Sequence, residues 1–398
     1  MNKCPIAKKC GGCQLQNLDY EEQLSLKQSK VIKQVGRYCH VDEIIAMDEP
    51  YRYRNKASRA FSFRSGKIVS GIYQSASKKV VEASDCLLED AYSCKIAETV
   101  KKLCVDFKIK AYDLHSGRGF FRQVLIRNGK NSGEIMVVLV TAKGDFPKKS
   151  EFVKALIEKH KDITTVVWNI NPTETPLLLG NNSETLYGDG YITDKLCGLD
   201  FRISPRSFYQ VNTLQTERLY EKVREFASLS RKETVIDAYC GTGTIGLTLA
   251  SDAKKLIGVE LNGDAVNDAV ANARDNGIKN AEFVNADAGE YMQSLAEKGK
   301  SADVVITDPP RAGCSKQFLE ALLALSPKRI VYVSCNVETL SRDLFTLRKG
   351  GYKVKKIQPV DMFPHTEHVE SVVLLSREKA DDYIRISVHT KDLQTKAN

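Results

Sequence analysis

From residue 234 onward the chain repeats one pattern. A short, continuously apolar run is followed by a turn, then by apolar residues spaced for one face of a helix. The runs at 234–239, 256–260, 281–285, 302–307 and 329–333 read as strands, and 244–250 and 263–276 as helices. Near-continuous apolar strands alternating with helices predict an α/β fold built on a doubly wound, mostly parallel sheet. Two last strands are expected at about 352–360 and 369–375. Right-handed crossovers place ligands at the carboxyl ends of such strands.

The first half has a different texture. Leu24, Leu26, Val31, Ile32 and Val35 among lysines and glutamines predict a helix over 23–40. Residues 53–203 are strand-rich. The runs 124–127 and 134–140 flank Asn128-Gly129 and Asn131-Ser132-Gly133, a hairpin signal. A short helix is expected at 152–159 and a strand at 165–170. The expected organisation is a cysteine-rich start and α+β central domain over 1–205, a nucleotide-type domain over 206–378, and a polar tail over 379–398. Residues 23–54 are expected to pack on the second of these.

The 398 residues, 42% hydrophobic, suffice for more than one core. No apolar run approaches the roughly 20 residues that span a bilayer, and the N-terminus lacks a signal-peptide apolar segment. A soluble, cytoplasmic, monomeric protein without a membrane partner is expected. The net charge of +9 favours a polyanionic partner only weakly. Eleven cysteines in such a setting are thiols, metal ligands or catalytic groups rather than a disulfide framework.

Candidate chemistry gathers at the predicted strand ends. Cys335 closes the run at 331–334, directly before a helical pattern, a typical place for a nucleophile. Asp308-Pro-Pro-Arg311 ends another strand. Asp237-Ala-Tyr-Cys-Gly-Thr-Gly-Thr244 is a glycine turn that differs from the dinucleotide fingerprint and lacks the P-loop lysine. Glu260 and Asp287 follow at the ends of the next two strands, where a carboxylate can hold ribose hydroxyls. Cys240 and Cys314 compete with Cys335 as nucleophile, and His365 and His368 are alternative bases.

These segments resemble class I S-adenosylmethionine-dependent methyltransferases and, more closely, the RNA (uracil-5-)-methyltransferase family. The resembling stretches are 208–212, 237–244, 308–311, 334–336 with Arg342-Asp343, 362–370, and the N-terminal cysteine motif. The resemblance implies that Gln210, Tyr239, Glu260 and Asp308 bind S-adenosylmethionine. Thr244 stands where relatives often have Asn, and Asp287 where an acidic or amide side chain meets adenine. It implies that Cys335 adds to uracil C6 and that Glu370 removes the C5 proton. Phe208 and Arg311 fall on the substrate side. Amino methyltransferases carry an aromatic residue where Arg311 stands, which counts against amino methylation.

Cys4, Cys10 and Cys13 form a tight cluster, with Gly11-Gly12 allowing a sharp turn. Three thiolates need a fourth for zinc or an iron–sulfur centre; Cys39, Cys86 and Cys94 are available. The resemblance implies Cys86 and a [4Fe–4S] cluster, although spacing alone does not exclude zinc. Cations interleave with aromatics at 52–56, 59–64 and 118–122, a pattern suited to RNA. Many relatives begin with a small β-barrel RNA-binding domain, which this sequence is expected to lack. The expected function is C5-methylation of a uridine in 23S rRNA. The same chemistry on tRNA and a noncatalytic metal-containing RNA-binding protein are the alternatives.

Overall fold

The structure is a computed structural model that describes residues 4–74, 77, 79–114, 116–173 and 178–377. The tail expected at 379–398 lies outside the described residues. The chain opens with a single turn, α1 (Ala7–Cys10), and a long helix, α2 (Tyr20–Val35). That helix starts three residues before the apolar pattern suggested. Asp19 and Glu22 form a capping box there, with Glu22 accepting from the Asp19 backbone at 3.0 Å. It stops at Gly36, whose N–H caps Ile32 at 2.8 Å.

The central layer contains β1 (Lys56–Arg64), β2 (Lys67–Tyr73), β3 (Val80–Glu82), α3 (Ala91–Asp106), β4 (Phe121–Asn128), β5 (Ile135–Thr141), α4 (Lys149–Lys159), β6 (Ile163–Ile170) and β7 (Asn182–Tyr187). Its seven strands run in the order β3-β2-β1-β4-β5-β6-β7. The β4–β5 hairpin, α4 and β6 fall where the sequence predicted them. The helix α3 does not; it interrupts a region read as strands. Ser93, Thr99 and Val100 are poor helix formers, so local propensity hides it. Burial of Ile96, Ala97, Val100 and Leu103 against the sheet decides the outcome.

After a hairpin, β8 (Ile192–Leu196) and β9 (Leu199–Ile203), comes α5 (Thr213–Ala227). The catalytic layer follows as β10 (Thr234–Ala238), α6 (Thr244–Leu249), β11 (Lys255–Glu260), α7 (Gly263–Asp275), β12 (Ala281–Asn285) and α8 (Ala288–Glu297). It is completed by β13 (Val304–Thr307), α9 (Lys316–Leu325), β14 (Arg329–Ser334), α10 (Val337–Lys349), β15 (Tyr352–Val360) and β16 (Glu370–Arg377). The seven strands are ordered β12-β11-β10-β13-β14-β16-β15. The first five are parallel, as the alternation predicts. The last two are antiparallel, because β16 returns between β14 and β15.

One face of this sheet buries α8, α9 and α10, and Leu24, Val31 and Val35 of α2 join them. The other face packs α5 and α6 and touches Leu125, Met136, Val138 and Val140 of the central sheet. This shared core, which includes Ile192, Leu196, Phe201 and Ile203 of the β8–β9 hairpin, joins the two sheets. Among the described residues no helix is long and apolar enough to cross a membrane.

Candidate active site

The site forms where the parallel strands end. The turn after β10 needs left-handed backbone: Tyr239, Gly241 and Gly243 have φ of 62°, 55° and 81°. At Gly241 the space a Cβ would enter is open, so a ligand can approach the backbone closely. Glu260 at the end of β11 accepts from that N–H at 3.1 Å and from Asn262 N at 2.8 Å. Gly241, Glu260 and Phe208 line one cavity of about 560 Å³. Phe208 is 68% exposed there, and Leu261, which the sequence reading did not single out, is 71% exposed. Leu261 directly follows Glu260, and its exposed apolar side chain sets it apart.

The other candidate cofactor residues surround this turn. The Tyr239 ring lies 5.0 Å from that of Phe318, and burial pushes its hydroxyl up. The Thr244 hydroxyl, at the start of α6, pairs with the Tyr220 hydroxyl at 2.8 Å. Asp287 caps α8, accepting from Gly289 N and Glu290 N, so one of its oxygens already has a structural task. The Gln210 carbonyl accepts from Asn55 Nδ2 at 2.9 Å. Asp237 accepts from Gly246 N, and burial pushes its carboxyl up to about 7.

Cys335, Glu370, Asp308 and Arg311 come together at the neighbouring strand ends. The antiparallel register pairs Ser334 with Ser371. Cys335 leaves the ladder directly after that pair, next to Glu370, which opens β16. The Glu370 side chain is buried, and desolvation followed by Asp308 lifts its carboxyl to about 8, against the pull of Arg311. Desolvation alone lifts Asp308 to about 7. Burial, then Glu370 and Asp308, push the Cys335 thiol up to about 11, while Arg311 works the other way. A cavity of about 200 Å³ opens at Cys335, with Arg311, Asn336 and His368 in its wall and Lys30 reaching in from α2. The Arg311 guanidinium lies 3.2 Å from His368 Nε2.

The competing nucleophiles are placed less well. Cys314 is buried, bonded to the Tyr332 hydroxyl at 3.4 Å and pushed up to about 12 by burial. Cys240 is buried and its thiol is also pushed up. His365 is buried and stacks on Tyr51 at 4.4 Å, away from the cavity wall. Arg342 and Asp343 brace the loop instead of lining the cavity. Asp343 accepts from Cys314 N and the Tyr332 hydroxyl, and Arg342 donates to the carbonyls of Ala312 and Cys314. The loop carrying Arg311 is thereby fixed against α10.

A second cluster lies at the N-terminus. Cys13 is pushed up to about 12, mainly by burial and then by Cys86, Cys10 and Cys4. The four thiols therefore share one corner, and Cys13 and Cys86 both pack on Met47, Tyr53 and Leu88. Among the described residues, no three His, Cys, Asp or Glu side chains are arranged closely enough to hold a metal ion. Cys94 is buried on α3, and Cys39 bonds the His40 carbonyl at 3.2 Å. Part of the interleaved basic pattern is internal. Arg52 forms a two-pronged pair with Asp85 at 2.6 and 2.8 Å, and Arg59 is buried against Glu89. Both arginines fasten the Cys86 loop; Arg59 is sealed inside, while the Arg52–Asp85 pair stays partly exposed at the surface.

The loop before Glu370 is tied to this corner. Leu15 N donates to the His365 carbonyl at 3.0 Å, and Gln23 Oε1 accepts from His365 N at 2.9 Å. Lys27 and Asp361 form a fully buried ion pair at 2.5 Å, which Tyr20 joins through its hydroxyl at 2.9 Å.

Comparisons with known proteins find this chain similar to RNA methyltransferases. A family model described as tRNA (uracil-5-)-methyltransferase matches residues 191–378. An uncharacterized RNA methyltransferase of Halalkalibacterium halodurans is 44% identical over 94% of this chain and 82% of its own length. One from Clostridium acetobutylicum is 43% identical over 94% and 83%. Among solved structures, the tRNA (uracil-54, C5)-methyltransferase of Pyrococcus abyssi, in complex with S-adenosyl-L-homocysteine, has a TM-score of 0.77. It is 31% identical and covers 92% of this chain and 85% of that one.

Proposed function

Because the chain belongs to the RNA (uracil-5-)-methyltransferase family, we propose that Cys335 and Glu370 carry out S-adenosylmethionine-dependent C5-methylation of a uridine through a covalent enzyme–RNA adduct. The observation that carries the assignment is that Cys335, one residue past the Ser334–Ser371 pair, lies within the electrostatic reach of Glu370, Asp308 and Arg311. The enzyme reading displaces the noncatalytic alternative.

Uracil C5 is a poor nucleophile. Addition of the Cys335 thiolate to C6 makes C5 enolate-like, with charge on the ring oxygen that Arg311 is placed to bear. S-adenosylmethionine supplies the methyl group when bound. Glu370 then takes the C5 proton, and elimination of Cys335 releases 5-methyluridine. A carboxyl held near 8 suits this task, since a base with a value near the working pH removes protons best. The open space beside Gly241, Glu260 and the exposed Leu261 fit a nucleoside with a charged tail. Gln210, Tyr239, Thr244, Asp287 and Asp308 complete that site, with Phe208 on the uracil side. The target uridine must leave its stack to reach Cys335.

Cys4, Cys10, Cys13 and Cys86 gather in one corner without the close arrangement of a ligand set; the proposal that they would hold one [4Fe–4S] cluster rests on the N-terminal cysteine motif. Methyl transfer moves no net electrons, so its role is to shape the corner that ties down the 361–369 loop. The proposed target is 23S rRNA, following the cysteine motif. A tRNA uridine is the second reading, favoured by the likeness to the Pyrococcus abyssi tRNA enzyme. Mass spectrometry of nucleosides from 23S rRNA and tRNA of a deletion strain separates the two. Loss of 5-methyluridine from 23S rRNA supports the first reading. Loss from tRNA alone replaces it with the second, and loss from neither overturns both.

A further inference from the structure

The two faces of the central sheet are used differently. Alternation along β1 turns Ala57, Arg59 and Phe61 toward α3 and α4, and Lys56, Ser58, Ser62 and Arg64 toward the opposite side. Over β4 and β5 that opposite face is packed against the catalytic layer through Leu125, Met136, Val138 and Val140. Over β1, β2 and β3 the same face runs on, with Ser62 paired to Val69, Arg64 to Lys67 and Tyr73 to Val80. At its edge lies a cavity of about 300 Å³ lined by Ser62, Arg64, Tyr73 and Lys79, with Phe61 and Phe63 from the other side of β1 and Tyr112 and Asp113 from the loop before β4.

The chemistry of this cavity is aromatic and cationic. The Tyr112 ring is braced by the Arg122 guanidinium at 4.5 Å, and Arg122 donates to the Asn171 carbonyl at 2.9 Å. Arg64 and Lys79 are exposed at the rim. Asp113, the acid in the wall, accepts from Ser116 N at 2.7 Å. β1 connects the cavity to the active cleft. Asn55, just before it, bonds the carbonyls of Gln210 and Val211, both at 2.9 Å. A nine-residue strand rising about 3.3 Å per residue spans about 30 Å.

We propose that this outer sheet face is a second RNA site, binding one unpaired nucleobase of the substrate stacked on Tyr73, with the flanking phosphates on Arg64 and Lys79. A ring at the edge of a cationic sheet accepts any base, because every base has a π-face. The cavity is too small for a duplex and of a size for a single base. The site anchors the RNA away from the reacting uridine and leaves the chemistry at Cys335 untouched. It rests on RNA being the substrate, and not on the roles given to Cys335 and Glu370.

The test is fluorescence anisotropy of the full chain with a labelled, mixed-sequence single-stranded oligoribonucleotide, over a series of salt concentrations. Tyr73→Ala is expected to weaken binding roughly fivefold to a hundredfold, the loss that stacking on one ring carries. Tyr73→Phe is expected to bind like the parent, which separates stacking from a folding defect. Arg64→Gln is expected to reduce the salt slope by about 0.7. Binding by Tyr73→Ala and Arg64→Gln within about twofold of the parent, with unchanged slope, overturns the site. The parent's methylation of RNA is measured alongside, so that a failure of this site is distinct from a failure of the functional assignment.

Discussion

At the scale of residues, Glu370 and Cys335 resist ionising together. Glu370 raises the cost of charging Cys335, and Arg311 relieves both. Removing a negative neighbour therefore lowers the Cys335 value, and removing the cation raises it. Iodoacetamide alkylation of Cys335 followed against pH should show a midpoint below about 11 in Glu370→Gln and Asp308→Asn, and above it in Arg311→Gln. Glu370→Gln should also stall after methyl transfer, leaving methylated RNA bound to Cys335. If that variant turns over like the parent, Glu370 is not the base. Asp237, Asp308 and Glu370 all have native values above those of an unfolded chain, at about 7, 7 and 8. Their contribution is fully present at low pH and is lost as pH rises through those values. The urea midpoint of the ligand-free enzyme should therefore fall from pH 5 to pH 8.5, and the fall should be shallower in Asp308→Asn and Glu370→Gln.

At the scale of elements, the parallel strands and their helices could be read from the sequence because each buries an unbroken apolar run. Cys335, Glu260 and Asp308 could be placed at strand ends for the same reason. What escaped the sequence depends on contacts between distant segments. The helix α3 is held by burial against β4 and not by its own propensity. Arg59 reads as an RNA-facing cation, yet its partner Glu89, about 30 residues away, holds it inside, and Asp85 ties up Arg52 at the surface. The proximity of Cys335 to Glu370 needs the antiparallel return of β16, which no local pattern announces. The Lys27–Asp361 pair likewise joins α2 to the loop before Glu370 and is invisible locally. Burial lowers the Lys27 value, so the ammonium depends on its partner. Asp361→Asn leaves that charge buried and should cost about 3–5 kcal/mol, read from urea unfolding. A cost below about 1 kcal/mol would show that water reaches the pair.

At the scale of the whole molecule, one sheet supplies the chemistry, the other extends its outer face as an RNA platform, and the N-terminal segment clamps the loop between them. The cysteine corner belongs to that clamp. Anaerobically purified protein should contain about four iron atoms per chain, and Cys86→Ser should lower that content and loosen the 361–369 loop in hydrogen exchange. One zinc and no visible absorption would refute the iron cluster while keeping the ligands. The central claim is that uridine methylation proceeds through a covalent bond to Cys335. The most direct measurement traps the enzyme on RNA containing 5-fluorouridine, with S-adenosylmethionine present, followed by digestion and mass spectrometry of the adduct. Fluorine at C5 cannot be removed as a proton, so the account predicts a stable, methylated RNA–peptide adduct on Cys335 and none with Cys335→Ala. An adduct on Cys240 or Cys314, or full turnover by Cys335→Ala on ordinary RNA, would contradict it.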